Sequence, residues 1–539
     1  MEKRSLAAVL AALAMLAPAT GAEYLVDATD FRDAIAAARA GDVITFRDGV
    51  YNNVAIDFRP AENGRADAPI TLRAQTQGGV VFRGNGSKLR INRDWLVVDG
   101  FVWEDVTVNG SNDYVIRFNS VDDTVFRNNT LRRVYNHNLD AAAVRVAVNS
   151  NRNIIERNEF TAPDDSEPYR MIQVWAYKDS TPSLDNVVRH NYFHDMGRAL
   201  QLGQGANTSP PDPFQRTTIE ANLFERMHNY TVHMKTSGNL LKDNTVRDAR
   251  SAADVRTGRQ NDYIGNFFFD ALPIALLHGD GEVRNNYFEG GFNTTDRGEA
   301  INLGWGDVPY PQISQANPAE GYLIENNTIL GFADAGIDFD LRRGVSGHSL
   351  PPKDNTFVEN LIWSTAGKAI DLKGATDQTW EGNVVWATGS GSPGSTPTGV
   401  RVVDPGLKRN ALGLLYSENF PDVGADVSRR PLTAADVGPG STFTYDNYLA
   451  GDFNSDGVVD AADYTVWRDT RGLGGPGLAA DANADGFVGS TDYAVWRERF
   501  GRTLAAAPST ESVPEPAAAA AATQATLAWA VLRRARRSR

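Results

Sequence analysis

TIEANLF (residues 218–224), NLLKDNTV (239–246) and DYIGNFFF (262–269) are variants of one short unit, and their spacing decides the fold. Each runs from a polar position through apolar residues to an asparagine and a closing apolar or aromatic residue. The unit recurs in both directions. TVFRNNTL ends at Leu131, NIIERNEF at Phe160, NVVRHNYF at Phe193, EVRNNYF at Phe288, YLIENNTI at Ile329 and TFVENLI at Ile362. The aligned asparagines are Asn129, Asn158, Asn191, Asn222, Asn244, Asn266, Asn286, Asn327, Asn360 and Asn383, at their tightest 20 to 22 residues apart. That period predicts an all-β fold, a right-handed parallel β-helix whose coils stack about 4.8 Å apart. An asparagine at one point of every coil can sit at a turn, tolerate a left-handed conformation and bond the coils above and below. Neither a leucine-rich signature nor a propeller-type motif appears.

At 539 residues the chain needs more than one unit. Lys3 and Arg4, the apolar run Leu6 to Leu16 and small residues after it predict an export signal over 1–22, and so a secreted or cell-surface protein. The solenoid is expected over 23–445. Asp30 to Ala40 reads as a helix ended by Gly41, placed to cap the first open edge. The absence of cysteine excludes disulfides and thiolate chemistry. A formal charge of -14 argues against nucleic acid as a partner, and any acidic ligand then needs a local basic cleft.

Residues 446–503 carry two copies of another unit, GDFNSDGVVDAADYTVWRD and ADANADGFVGSTDYAVWRE. Asp452, Asn454, Asp456 and Asp463 in the first, and Asp481, Asn483, Asp485 and Asp492 in the second, fall at the spacing of calcium-loop ligands. Val458 and Phe487 would add backbone carbonyls, and each loop leads into a predicted helix. Residues 504–539 hold a linker, Val513-Pro514-Glu515-Pro516, an alanine-rich stretch and a basic tail from Arg533 to Arg539.

Repeats also locate chemistry. Lys235 lies nine residues before Asn244 and Arg256 lies ten before Asn266, so the two should project from adjacent coils onto nearly the same surface. Stacked cations are costly unless something anionic joins them, and lysine is the one that gives up its proton. β-Elimination on a uronic acid needs such a pair: a base for the C5 proton and positive charge for the enolate-like intermediate and the departing C4 oxygen. Spacing alone leaves open two solvated basic residues on a β-helix face. Asp338 and Asp340 in GIDFD match no hydrolase motif, and a structural or turn role is expected for them.

From Tyr24 to about Trp386 the chain resembles the family six polysaccharide lyases, the alginate lyases and chondroitinase B. The resemblance is carried by DFRDAIAAARAGDVITFRDGVY, by API with TLRAQ, by WLVVDGF (95–101), by MKTSGN with Lys235 and Asn239, and by VRTGRQNDYIGNFF with Arg256 and Gly258. It implies Lys235 as Brønsted base and Arg256 as Brønsted acid in a polysaccharide lyase, with alginate the first substrate and a chondroitin or dermatan polymer the alternative. A non-catalytic glycan-binding β-helix is the reading from another class. Two glutamates that hold calcium in the family are replaced here by His228 and Tyr230, and DMGRALQLG puts Asp195 and Arg198 in the upstream ligand segment. Arg198, His228, Tyr230, His233 and Arg259 are the expected substrate-binding residues. Thr257 stands where the family has histidine, and Ala275 where arginine is common. The paired loops resemble a type I dockerin, implying calcium and either a cohesin-type partner or a purely structural role. The tail resembles a PEP-CTERM sorting signal. A monomer is expected.

Overall fold

The computed structural model describes residues 21–504, apart from 109, 111–112, 137–140, 163–169, 176–180, 204–213, 291–297, 310–316, 476–477 and 484. The export segment up to residue 20 and the sorting tail from 505 lie outside the described residues.

The chain winds as a parallel β-helix. Short strands of successive coils, from Glu23–Val26 through Val187–Arg189 to Gln378–Glu381, hydrogen-bond in parallel into a fourteen-stranded sheet. The remaining coil strands form a second parallel system of 25 strands. Residues two past each aligned asparagine form an inward column, Leu131, Phe160, Phe193, Phe224, Val246, Phe268, Phe288, Ile329, Ile362 and Val385, held in register coil by coil. Phe160, Phe193 and Phe224 stack with ring centroids 4.9 Å apart at each step. In the NFFF coil Phe268 enters this column, not Phe269, because alternation along a strand sends the third residue outward.

The ten asparagines form one unbroken ladder. Each backbone N–H donates to the side-chain oxygen of the asparagine in the next coil at 2.9–3.0 Å, from Asn129 to Asn383. The left-handed conformation expected of these residues falls one position earlier, on Asn128, Arg157, His190, Ala221, Asp243, Gly265, Asn285, Asn326, Glu359 and Gly382. That preceding residue makes the turn, which leaves each asparagine side chain directed into the stack, fully buried and saturated. A second ladder links Thr124 to Asn153 and Asn186, and Thr217 to Asn239 and Asn261.

Asn244→Ala would strand the Asn222 N–H and side-chain amide and the Ile219 carbonyl, all of which it now bonds. At about 1–3 kcal/mol per stranded buried group, partly relieved by relaxation, a loss of roughly 3 kcal/mol is expected. Urea unfolding measures it; a loss within 0.5 kcal/mol (about the noise of a surface substitution) would contradict the ladder's role.

The first helix spans Phe31–Ala37 and buries Phe31, Ala34 and Ile35. It stops short of the expected Ala40, because Ala38 turns to extended backbone at ψ 141° while its N–H still bonds the Ala34 and Ile35 carbonyls. Gly41 takes φ +91° in the turn beyond. Two further helices, Ala461–Thr470 and Ser490–Arg499, follow the two loops near the C-terminus.

Candidate functional site

The strands Leu223–Met234 and Thr245–Val255 pair in parallel with His233 opposite Asp254 and Met234 opposite Val255. Lys235 and Arg256 are the next residue on each, so they leave adjacent coils side by side. The Lys235 N–H donates to Leu202 O at 2.9 Å and the Arg256 N–H to Met234 O at 3.0 Å, which continues the stack through this corner. Gly258, at φ +103°, lets the two turns touch: a Cβ there would lie 2.2 Å from the Thr236 carbonyl oxygen.

One outward-facing row of the second sheet system passes beneath this corner. It reads Arg145, Gln173, Gln201, His233, Asp254, Ala275, Asn302, Asp338 and Asp371, one residue per coil. The row is basic at one end and acidic at the other. Beside it Arg170 pairs with Arg198 in the next coil. The Arg198 guanidinium donates to Gln201 Oε1 at 2.8 Å and lies 5.1 Å from the Tyr230 ring centroid. Burial, then Arg170, lowers Arg198 to about 10. Burial also lowers Lys235 to about 8, with Arg256, Arg170 and Arg198 adding to the shift and Asp254 opposing it. An amine surrounded by guanidinium groups is the group that yields its proton, since the arginines hold theirs more tightly.

A groove of about 310 Å³ opens over the row. Tyr230, Arg250, Asp254, Arg256 and Arg342 form its polar wall, and Leu272, Ala275, Leu277 and Leu341 its apolar floor. Asp254 is only 3% exposed, and although burial pushes it up, His233, Arg256 and Arg342 hold it below the usual carboxylate range. Nearer the N-terminus Arg117, Arg145 and Trp175 line a second depression of about 250 Å³, with Arg145 stacked 4.4 Å over the Trp175 ring.

The expected binding residues separate. Arg198 and Tyr230 flank the site. His233 is only 3% exposed, with Nδ1 2.9 Å from Asp254 Oδ2. Burial lowers its pKa while Asp254 opposes the shift, and it does not line the groove, which it reaches only through Asp254. His228 is exposed: the pairing register slips between Met227 and Tyr230, and this bulge turns it outward. Arg259 bonds Asp280 Oδ1 through Nε at 3.1 Å and does not line the groove. Arg170, Arg250, Arg342 and Asp254 were not singled out from the sequence; a one-coil offset from Arg198 is the signal that finds Arg170.

The residues at the implied catalytic calcium positions do not fit that ion. Arg198 is a cation, His228 is exposed and does not line the groove, and Asp195 is engaged by Arg226 at 2.5 Å and His194 at 2.6 Å. The C-terminal loops do fit one. Asp463 and Asp492 are fully buried; Asp463 accepts the Phe453, Asn454 and Asp460 N–H groups, and Asp492 those of Ala482, Asn483 and Gly489. Asp452 and Asp481 take the Gly457 and Gly486 N–H groups at 2.8 Å. Burial, reinforced by neighbouring carboxylates, pushes Asp452, Asp481 and Asp492 up, as in a set of converging oxygens suited to a hard cation.

Fold and site together define a parallel β-helix protein with a cationic groove against a lysine–arginine corner. The chain belongs to the chondroitinase B family, whose model matches residues 25–372. Among solved structures, a variant of the PL6 family alginate lyase AlyGC is similar at 22% identity and TM-score 0.67, over 80% of this chain and 60% of that one. A PL6 family polysaccharide lyase from Pseudopedobacter saltans is similar at 23% identity and TM-score 0.59, over 78% of this chain and all of that one. A PL6 alginate lyase in complex with a trisaccharide is similar at 16% identity and TM-score 0.61, over 80% and 97%. These likenesses concern the fold, and the chain spans less than two thirds of the length of AlyGC. No curated protein matches the sequence.

Proposed function

We propose that this protein is a polysaccharide lyase that cleaves a uronic-acid polymer by β-elimination, with alginate its first substrate and a chondroitin or dermatan polymer the alternative. The observation that carries the proposal is Lys235 and Arg256 leaving adjacent coils side by side, with Arg256 lining a cationic groove, in a chondroitinase B family chain. Neutral Lys235 takes the C5 proton. The electron pair forms the C4–C5 double bond, the C4–O bond breaks, and the leaving oxygen takes a proton from Arg256. Arg170 and Arg198, two further cations that act on Lys235, offset the charge that grows on the carboxylate. Asp254, paired with His233, attracts Arg256 electrostatically and limits how far Lys235 is depressed.

Two further readings belong to the attachments. The paired loops bind calcium in a dockerin-like module, either for a cohesin-type partner or as a stabilised tail. The N-terminal signal and the C-terminal sorting tail place the protein outside the cytoplasm.

Incubation with alginate, dermatan, chondroitin and polygalacturonate tests the function. At least one polymer is expected to give oligosaccharides with an ultraviolet-absorbing C4–C5 double bond. Binding without any such product on all four would favour the non-catalytic glycan-binding reading.

A further inference from the structure

We propose that Glu299, Asp338 and Asp340 hold a hard divalent cation at the acidic end of the outward row. Asp338 and Asp340 come from the strand Ala335–Leu341, and Glu299 from the strand Glu299–Gly304 of the preceding coil. One carboxylate oxygen of each lies within 4.8 Å of the others. The paired Asn302 and Asp338 continue the row from Asp254 through Ala275, so the site stands three coils from Asp254, about 14 Å at the stacking distance of parallel strands.

Proximity of acids alone is common, and the second observation concerns Glu299. The residue is buried, with 7% of its surface exposed, its carboxylate is directed into the cluster, and Oε2 has no hydrogen-bond partner among the described residues. A buried carboxylate oxygen left bare is costly, and a cation is the group that meets three carboxylates at once. Lys373 does not fill that role. Its Nζ is 3.5 Å from Asp340 Oδ2 and 3.1 Å from Asp371 Oδ2, and among the described residues no ion pair joins it to Glu299. Asp338 Oδ1 accepts only the neighbouring Phe339 N–H at 2.6 Å, and the Asn302 amide is 3.5 Å from Asp340 Oδ1. Burial and mutual repulsion raise both Glu299 and Asp338 to about 7, although Lys373 offsets part of the rise at Asp338. All donors are oxygens, which selects calcium or magnesium over softer metals. The site is separate from the C-terminal loops and does not depend on the lyase reading.

The test uses the full chain, stripped with chelator and titrated with calcium chloride and with magnesium chloride. Asp463→Asn with Asp492→Asn removes the loop sites from the count. This double variant is expected to keep one equivalent of cation, and adding Glu299→Gln is expected to abolish it. Melting gives a readout that a merely structural role would not move. In chelator, adding Glu299→Gln to the double variant is expected to raise its melting temperature, since one repelling charge is gone, whereas cation should raise the melting temperature of the double variant but not of the triple variant. Circular dichroism verifies that every variant is folded, with Asp338→Asn as a second substitution should Glu299→Gln fail to fold. No binding by the double variant up to millimolar cation, or the same stoichiometry after Glu299→Gln or Asp338→Asn, would overturn the site.

Discussion

Lys235→Ala is expected to cut the turnover number on the preferred polyuronate by about 100- to 10,000-fold, the range that loss of a positioned general base produces. KM should change little, because Tyr230, Arg250, Arg256 and Arg342 still line the groove. The substitution removes a half-buried amine that burial and three guanidinium groups already disfavour as a cation, so the fold should not suffer. The sign is fixed by linkage. Lys235 binds its proton less tightly folded than unfolded, so between about 8 and the ordinary lysine value of 10.5 the unfolded chain holds more protons and stability rises with pH. Below that window the charged amine works against the fold, and alanine relieves it. Initial rates with a thermal melt at neutral pH measure both effects. Full activity in a folded Lys235→Ala protein would remove lysine from the mechanism.

Arg256→Ala carries the second large effect, for two reasons. It deletes the group opposite the departing oxygen, which by analogy with loss of a charge-stabilising donor costs about 100- to 1,000-fold in turnover. It also deletes the largest Coulombic contribution to the depression of Lys235. The alkaline rise of the rate should therefore move to higher pH than in the parent, so that part of the lost rate returns as pH increases. Rate measurements across pH separate these contributions. A purely structural arginine would lower the rate equally at every pH.

Much of the solenoid could be read from sequence because its determinants are local and repeated. The ladder from Asn129 to Asn383 follows from a single letter at a near-constant spacing, and the inward column follows from the residue two places later. The juxtaposition of Lys235 and Arg256 rests on the same arithmetic, since no loop interrupts the two coils between them. What spacing misses is whatever depends on loops or on slips of register. His228 reads as a neighbour of Tyr230 two residues on, but the bulge after Met227 breaks that periodicity and exposes it. Arg259 sits in a turn whose direction is set by Asp280 in the next coil. Glu299 and Asp338 are 39 residues apart, far from one coil period, because the chain between them carries a long insertion; only the paired strands bring them together. The left-handed turn residues vary among asparagine, aspartate, arginine, histidine, alanine, glutamate and glycine, so composition does not mark them.

The account turns on the protonation of one amine. A nuclear magnetic resonance titration of the Lys235 side chain, in protein with labelled lysines and assigned by loss of its signal in Lys235→Ala, reads it directly. The account predicts a midpoint near 8 for the parent protein and a higher one in Arg256→Ala. A midpoint at the ordinary lysine value, unchanged by removal of Arg256, would contradict it.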